Sequence, residues 1–142
     1  MQGKTITELS VGDHASFQKT ITETDVYLFA GITGDTNPAH LNEVQAKKTI
    51  FKERIVHGML TASLISAVLG TQLPGPGTIY LGQDLKFIVP VRFGDTILAE
   101  VEIVKIIQEK NIVKLNTICT NQDNIVVVEG MATVMPPKGE DE

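Results

Sequence analysis

The segment Gly34-Asp35-Thr36-Asn37-Pro38-Ala39-His40 places a carboxylate and an imidazole close together in the chain. Pro38 fixes its own φ and biases Asn37 away from helix, so we expect a stiff, non-helical loop that holds Asp35 and His40 near each other. Imidazole titrates near neutral pH, and a carboxylate can orient it or a water molecule. The pair is therefore a candidate for water activation. Spacing alone leaves an alternative open, in which Asp35 and Asn37 cap the following helix and His40 lies at the surface.

A second candidate stretch, Ile55-Val56-His57-Gly58-Met59, ends where an apolar helix is predicted to begin. A glycine there lets a ligand oxygen approach the first amides of the helix, which can polarise a thioester carbonyl. One such donor contributes roughly 3–4 kcal/mol in a transition state. In the alternative, Gly58 is only a tight entry into the helix and His57 is a buried, hydrogen-bonded side chain. Ser66, within the helix, would ordinarily bond back to a carbonyl one turn earlier.

The first half of the chain is predicted to be mainly helical. Thr22 or Thr24 can cap a helix that runs through Ala30, and 42–48 reads as a short second helix. The strongest helix is predicted over 58–73, where the sequence contains no charged residue and is apolar nearly all round, as in a buried helix. A further strand is predicted over 13–19.

The second half is predicted to be a series of strands, because apolar residues alternate with polar ones. The predicted strands cover 78–89, 96–108, 112–120 and 125–135, with turns at 109–111 and 121–124. Strands joined by short turns form an antiparallel meander. The fold class is therefore α+β, with one long buried helix against an antiparallel sheet.

Composition indicates one globular domain, since the chain has 142 residues, of which 42% are hydrophobic and 20% charged. The domain is expected over 1–142, with about 136–142 as a loose C-terminal tail. A net charge of −5 argues against nucleic acid or an anionic membrane as partner. No apolar run is long enough to span a bilayer, and the start lacks a signal-peptide core. With one cysteine, Cys119, expected to be buried and inert, a cytoplasmic location is predicted.

Longer motifs carry a family resemblance. From Tyr27 the chain reads YLFAGITGDTNPAHLN, and from Phe51 it continues FKERIVHGMLTASLISAVLGTQLPGPGTIYLGQDLKF. The motif GDxNPxH, followed at the expected distance by HGM and PGxGxxYLGQ, resembles the MaoC-like family of (R)-specific enoyl-CoA hydratases. These are hot-dog-fold enzymes, in which an antiparallel sheet wraps around one central helix. The resemblance covers roughly 11–134.

The resemblance implies a function and a site. Asp35 and His40 would be the catalytic pair, and the Gly58 amide would bind the thioester oxygen. The oxyanion and substrate-binding group would comprise Gly58, Ser66, Asn37 and His57, with Asn37 organising its loop. The reaction would be syn addition of water to trans-2-enoyl-CoA, giving (R)-3-hydroxyacyl-CoA. No metal or redox cofactor would be needed, and the protein would be a homodimer or a larger homo-oligomer.

Other functions remain to be weighed. Many hot-dog thioesterases, and the acyl-carrier-protein dehydratases of fatty-acid synthesis, resemble each other in placing a catalytic carboxylate on the central helix. The segment 58–73 contains no Asp or Glu, which argues against both. A non-catalytic acyl-CoA-binding protein would be expected to lack one member of the pair Asp35 and His40. A metal site built from Asp35, His40 and His57 has suitable residue types but no spacing signature.

Some properties of the substrate stay open. CoA phosphates need cationic or amide partners, and the candidate cations are Lys47, Lys48, Lys52, Arg54, Lys86 and Arg92. The sequence decides neither acyl chain length nor the choice between CoA and acyl carrier protein. The pathway, whether polyhydroxyalkanoate precursor supply, fatty-acid oxidation or fermentation, is equally undecided.

Overall fold

A computed structural model describes residues 2–139 of the chain. The helices are α1 (Glu23–Thr33), α2 (Pro38–Leu41), α3 (Glu43–Ala46) and α4 (Gly58–Thr71), with short 3₁₀ turns at Ile6–Glu8 and Gln108–Lys110. The strands are β1 (His14–Thr20), β2 (Ile79–Gln83), β3 (Lys86–Phe87), β4 (Thr96–Ile107), β5 (Ile112–Thr120) and β6 (Val126–Met135).

The strands form one antiparallel sheet in the order β1-β4-β5-β6-β2, and β3 also pairs with β6. Helix α4 packs against β4, β1, β5 and β6. One long helix is thus enclosed by a curved sheet, which is the hot-dog arrangement that the resemblance implies. The predicted α+β class and the predicted meander of the second half are confirmed.

The core lies between α4 and the inner face of the sheet. Helix α4 contributes Thr61, Ala62, Leu64, Ile65, Val68 and Leu69. The central strands contribute alternate residues, among them Ile97, Ala99, Val101, Ile103, Val113, Leu115 and Cys119. Burial raises the pKa of the Cys119 thiol to about 12, so it packs as a small apolar side chain and is a poor nucleophile.

The prediction of one continuous strand over 78–89 is wrong, because this segment forms two strands, β2 and β3, which are separated at Asp84. The Asp84 amide donates to the Met131 carbonyl over 3.1 Å, and the Asp84 side chain accepts the Met131 amide proton over 2.9 Å. The carboxylate therefore takes a place that a strand carbonyl would occupy in a regular ladder. Alternating hydrophobicity cannot reveal this break, because it comes from one polar side chain.

The loop predicted over 34–40 is only partly non-helical. Helix α1 ends where Gly34 adopts a left-handed φ of 81°, as the glycine suggested. Pro38, however, starts the helical turn α2, so His40 lies on a helix. Proline is well suited to the first helical position because its φ is already helical. Asn37 caps α2 by accepting the Ala39 amide proton over 3.0 Å.

The other helix predictions differ mainly in their ends. Thr22 is the N-cap of α1, with its hydroxyl accepting the Asp25 amide proton. The helix predicted over 42–48 is the shorter α3, capped by Asn42. Helix α4 is not buried all round in the protomer, since the side that faces away from the sheet exposes Met59, Ser63, Ser66 and Gly70.

The C-terminal segment predicted to be loose is anchored at its start. Pro136 is buried, and its carbonyl accepts a hydrogen bond from the Asn111 side chain over 3.0 Å. Residues 140–142 lie outside the described part of the chain. Between residues 2 and 139, no helix is both long enough and apolar enough to cross a membrane.

Substituting Gly130 by alanine is expected to destabilise the fold. A Cβ there would overlap the Asp84 carbonyl group, lying 2.8 Å from its carbon, and this neighbour is backbone that cannot swing aside. We expect Gly130→Ala to lower the free energy of unfolding by about 1–3 kcal/mol, as overpacking does. Urea unfolding at fixed protein concentration measures the change.

Gly31→Ala is the matched control, because its would-be Cβ, in the last turn of α1, meets no atom within 4 Å beyond its chain neighbours and the helix backbone. We expect that control to be neutral or to gain up to about 1 kcal/mol, since alanine favours helix. Equal effects of the two substitutions would contradict the assigned clash.

Candidate active site

The segment Arg54–His57 joins the two candidate stretches. The Ile55 amide donates to the Ala39 carbonyl over 3.0 Å, and the Val56 amide donates to the Val91 carbonyl over 2.8 Å. Backbone hydrogen bonds on both sides therefore hold this segment between the α2 turn and the extended chain around Val91. Because α4 begins directly after it, the segment sets the position of the α4 N-terminus relative to His40.

Arg54 ties the same segment to the helices α1 and α3. Its guanidinium donates to Glu23, Glu43 and the Tyr27 hydroxyl over 2.7–3.0 Å. The guanidinium carbon, Cζ, also lies 4.8 Å from the centre of the Phe93 ring. Hydrogen bonds from Tyr27 and Arg54 lower the pKa of Glu23. A planar guanidinium satisfies several partners at once. Arg54 thus fixes the elements around the cavity.

His40 is 9% exposed and faces the candidate cavity. Its Nδ1 lies 2.7 Å from the Ile55 carbonyl oxygen. Because a carbonyl only accepts hydrogen bonds, Nδ1 must carry the proton that it donates. In the neutral ring Nε2 is then the nitrogen with a lone pair, so it is the one that can take a proton from water.

Asp35 follows the left-handed Gly34 and lines the same cavity as His40. Its carboxylate accepts the Asn37 amide proton over 3.2 Å, and its own amide donates to the Thr33 hydroxyl oxygen over 3.1 Å. These local bonds form a turn that presents the carboxylate beside α2. The capping alternative therefore holds for Asn37, which caps α2, while Asp35 remains exposed to the cavity.

His57 is 2% exposed, and its ring stacks on His40 with centroids 3.9 Å apart at 27°. Its Nε2 donates to the Asp35 carbonyl over 2.9 Å, since that oxygen can only accept. Its Nδ1 has no hydrogen-bond partner among the described residues. The expected buried, hydrogen-bonded histidine is what the structure shows, and it lies against both members of the candidate pair.

Gly58 begins α4, and the side chain of His57 does not cap the helix. The first amides of a helix have no partner within it and carry its positive dipole end, which suits an oxygen that gains negative charge. A Cβ at Gly58 would lie 2.6 Å from the Phe87 ring. Only glycine therefore lets the ring pack directly on the start of the helix.

A cavity of about 410 Å³ connects these groups. Its polar lining comprises Asp35, His40, His57, Gly58 and Thr61, and its largely apolar remainder comprises Phe51, Ile55, Val56, Met59, Phe87, Ile88, Val89, Pro90, Val91, Val127 and Val128. A few polar groups converging at one part of an apolar cleft are typical of a small-molecule site. The arrangement suits a ligand with an apolar chain and one reactive polar group.

Two predicted site residues lie outside this cavity. Asn37 caps α2, and Ser66 lies on the exposed side of α4, about two turns beyond Gly58. Sequence reasoning missed the rings Phe51 and Phe87, whose apolar character looks like core in a sequence, and the buried Thr61, whose hydroxyl has no partner among the described residues. The glycine at 58 was a signal that something packs closely there.

The basic residues that are candidates for binding a ligand phosphate divide into two groups. Arg92 pairs with Glu53 and donates to the Phe51 carbonyl over 2.8 Å, and Arg54 is engaged by Glu23 and Glu43. Both arginines therefore support the cavity wall, and the exposed candidates for a ligand phosphate are Lys47, Lys48, Lys52 and Lys86.

Ligand atoms of Asp35, His40 and His57 lie within 4.8 Å of one another, a grouping that a metal ion would also require. Each ring bonds a carbonyl through one nitrogen, so an ion would be held by the other, which is Nε2 of His40 and Nδ1 of His57. For His40 this is the same nitrogen that acid–base chemistry would use.

Comparison with known proteins identifies the family of this chain. A model of the family described as MaoC like domain matches residues 8–129. The chain belongs to this family. An (R)-specific enoyl-CoA hydratase of Rhodospirillum rubrum is 56% identical to it over 130 residues, which cover 92% of this chain and 90% of the relative.

Solved structures of MaoC-like enzymes have the same fold. The R-hydratase PhaJ1 of Pseudomonas aeruginosa superposes with a TM-score of 0.91 at 47% identity, covering 97% of this chain and 88% of that one. The (R)-hydratase of A. caviae, described as involved in PHA biosynthesis, superposes with a TM-score of 0.88 at 45% identity, covering 91% and 98%. The hot-dog fold of this MaoC-like chain is thereby confirmed.

Gly58→Ala is expected to act through Phe87. The added methyl group would push the ring away from the α4 N-terminus and into the cavity or out to solvent, because Phe87 is 54% exposed and able to move. A misplacement of this size in a site costs on the order of 10²-fold in turnover. We expect the free energy of unfolding to change by less than about 1 kcal/mol, since no backbone is displaced.

The double variant Gly58→Ala/Phe87→Ala tests this cause. If the ring mediates the effect, Gly58→Ala does less harm to kcat/KM when Phe87 is already alanine. An identical loss in both backgrounds would show that the methyl group acts directly on the ligand.

Proposed function

We propose that this MaoC-like chain is an (R)-specific enoyl-CoA hydratase, a hydro-lyase that converts trans-2-enoyl-CoA and water to (R)-3-hydroxyacyl-CoA. The observation that carries the proposal is one cavity in which the free Nε2 of His40, the Asp35 carboxylate and the first turn of α4 converge. Relatives at 56% and 45% identity are named (R)-specific enoyl-CoA hydratase, which supports the same activity here.

The reaction follows from these positions. The thioester oxygen binds at the Gly58 amide, and Asp35 and His40 hold one water molecule and remove its proton. The water oxygen attacks C3, the C2–C3 π electrons move toward the thioester, and negative charge grows on the oxygen at the helix N-terminus. The pair then returns the proton to C2 on the same face, which makes the addition syn. The reverse sequence dehydrates the product.

The apolar wall of the cavity suits the acyl chain. Burial of each methylene contributes about 0.8 kcal/mol, so the chain anchors the substrate while the polar groups act on its enoyl end. A thioesterase of the kind that carries its carboxylate on the central helix is not supported, because α4 has no acidic residue. A binding protein without catalysis does not account for the oriented, proton-accepting nitrogen of His40.

The proposed reaction needs no metal and no redox cofactor, because each step is a proton transfer or a nucleophilic addition. CoA enters as part of the substrate. The exposed lysines Lys47, Lys48, Lys52 and Lys86 are the proposed contacts of its phosphates, since each lies within four residues in sequence of Phe51 or Phe87, which line the cavity. We place the enzyme in the cytoplasm, where a lone free thiol such as that of Cys119 stays reduced.

The protein is proposed to act as a homodimer. In the protomer β2 pairs with β6 on one side only, and its side chains Ile79, Tyr80 and Leu81 are substantially exposed. An edge strand with unpaired backbone N–H and C=O groups and exposed apolar side chains can pair with a strand of another chain. A second copy that covers this edge would bury the apolar side chains and complete the hydrogen bonding of β2.

The activity is tested with crotonyl-CoA by following loss of the enoyl-thioester absorbance, with chiral analysis of the product. We expect rapid loss and the (R)-alcohol. Asp35→Asn keeps the shape of the side chain, and His40→Gln keeps a polar side chain of similar length without the ring. Each removes the acid–base group, so each should lower kcat by about 10²–10⁴-fold. Activity is expected to persist in EDTA.

Three results would contradict the proposal. Release of free CoA would indicate a thioesterase, and acyl-CoA binding without turnover would indicate a binding protein. Loss of activity in EDTA with recovery on adding a divalent metal would support the alternative of a metal site built from Asp35, His40 and His57. The Lys138→Ala variant serves as a control, because Lys138 lies in the C-terminal segment outside the cavity and should keep full activity.

The dimer is tested by light scattering after size-exclusion chromatography. Leu81 is 49% exposed in the protomer, and Leu81→Asp is expected to shift the mass from dimer to monomer because it would bury a charge in the interface. Val11→Asp, at a residue 64% exposed outside β2, should leave the mass unchanged. A wild-type protein that stays monomeric at all concentrations would overturn the dimer.

A further inference from the structure

The His57 ring contacts both members of the proposed catalytic pair. It stacks on His40 at a centroid separation of 3.9 Å and donates its Nε2 proton to the Asp35 carbonyl over 2.9 Å. The Phe29 ring closes another side, with centroids 4.9 Å apart at 55°. A ring held on several sides has little rotational freedom, so it transmits its position to its neighbours.

The two contacts use different properties of the ring. The stack with His40 needs a flat ring, whereas the bond to Asp35 needs a donor at the Nε2 position. The hydrogen bond to the Ile55 carbonyl restrains the His40 ring within its own plane. The His57 ring, stacked on the face of His40, restrains movement out of that plane. The Asp35 carbonyl belongs to the same residue as the carboxylate, so this bond fixes the backbone from which the carboxylate projects.

We propose that His57 is a positioning residue, which keeps His40 and Asp35 at a fixed separation while acting on neither water nor substrate. This inference rests on the proposed function, and it revises the substrate-binding role that the family resemblance implies for His57. A shared support explains why an almost fully buried polar ring is placed at the entry of α4, where its side chain performs no capping.

Three substitutions separate the two contacts. His57→Phe keeps a ring for stacking and lacks the donor, His57→Gln keeps an amide donor near the Nε2 position and lacks the ring, and His57→Ala lacks both. We expect His57→Ala to lower kcat for crotonyl-CoA hydration by about 10²-fold, the scale of a small misplacement, with KM changed less than about threefold. His57→Phe and His57→Gln should each recover part of that loss.

Ser63→Ala is the control variant, because Ser63 is exposed on α4 and its hydroxyl donates only to the Met59 carbonyl. It should keep the wild-type kcat and KM. A His57→Ala variant that raises KM with kcat unchanged would overturn the proposal and return His57 to substrate binding. Partial variants no better than His57→Ala would also overturn it.

A measurement on the wild-type protein avoids dependence on variants that fail to fold. Nitrogen-15 NMR of the three histidine rings reports which nitrogen carries the proton, with the exposed His14 as reference. The proposal requires an Nε2–H ring at His57 and an Nδ1–H ring at His40 in their neutral forms. The opposite tautomer at His57 would overturn it. A wild-type protein with these tautomers but without hydratase activity would instead overturn the proposed function.

Discussion

The hydrogen bond from His40 Nδ1 to the Ile55 carbonyl decides what the site can do. It leaves Nε2 facing the cavity as the nitrogen with a lone pair, so the ring can act as a base without rotating. The Ile55 carbonyl is in position for this bond because two backbone hydrogen bonds hold its segment. The Ile55 amide donates to the Ala39 carbonyl, and the Val56 amide donates to the Val91 carbonyl. The orientation of one imidazole therefore depends on backbone contacts made by three separate parts of the chain.

Helix α4 serves the core and the site with different parts of the same element. Its inner side fills the sheet with Ile65, Val68 and Leu69, which fixes the axis of the helix. Its first amides lie at the cavity, where Gly58 admits the close approach of Phe87. Because a packed helix moves little, its N-terminus is a preorganised donor whose position the core maintains.

Much of this structure could be predicted from local patterns. The strands β4, β5 and β6 follow from alternating hydrophobicity, α4 follows from an apolar run without charged residues, and Gly34 marks the end of α1. The break at Asp84 and the α2 turn could not, because each depends on one side chain that replaces or caps a backbone bond. The grouping of Asp35, His40 and His57 could be found only from the fold, since His40 and His57 lie 17 positions apart in sequence. The motif predicted the residues, but not the stacking that connects them.

The origin of the carboxylate bears on which reaction the cavity favours. Hydrolysis attacks the thioester carbon, which is bonded to the oxygen that the proposed mechanism places at the helix N-terminus. Hydration attacks C3, two carbons further along the substrate, and the activated water must sit farther from that oxygen. In this chain Asp35 and His40 come from the turn after α1 and from α2, while α4 supplies its first amides and Thr61 but no acid. In the proposed mechanism the oxyanion donor and the acid–base pair come from separate elements, which provides that separation and favours addition to the double bond over cleavage of the thioester.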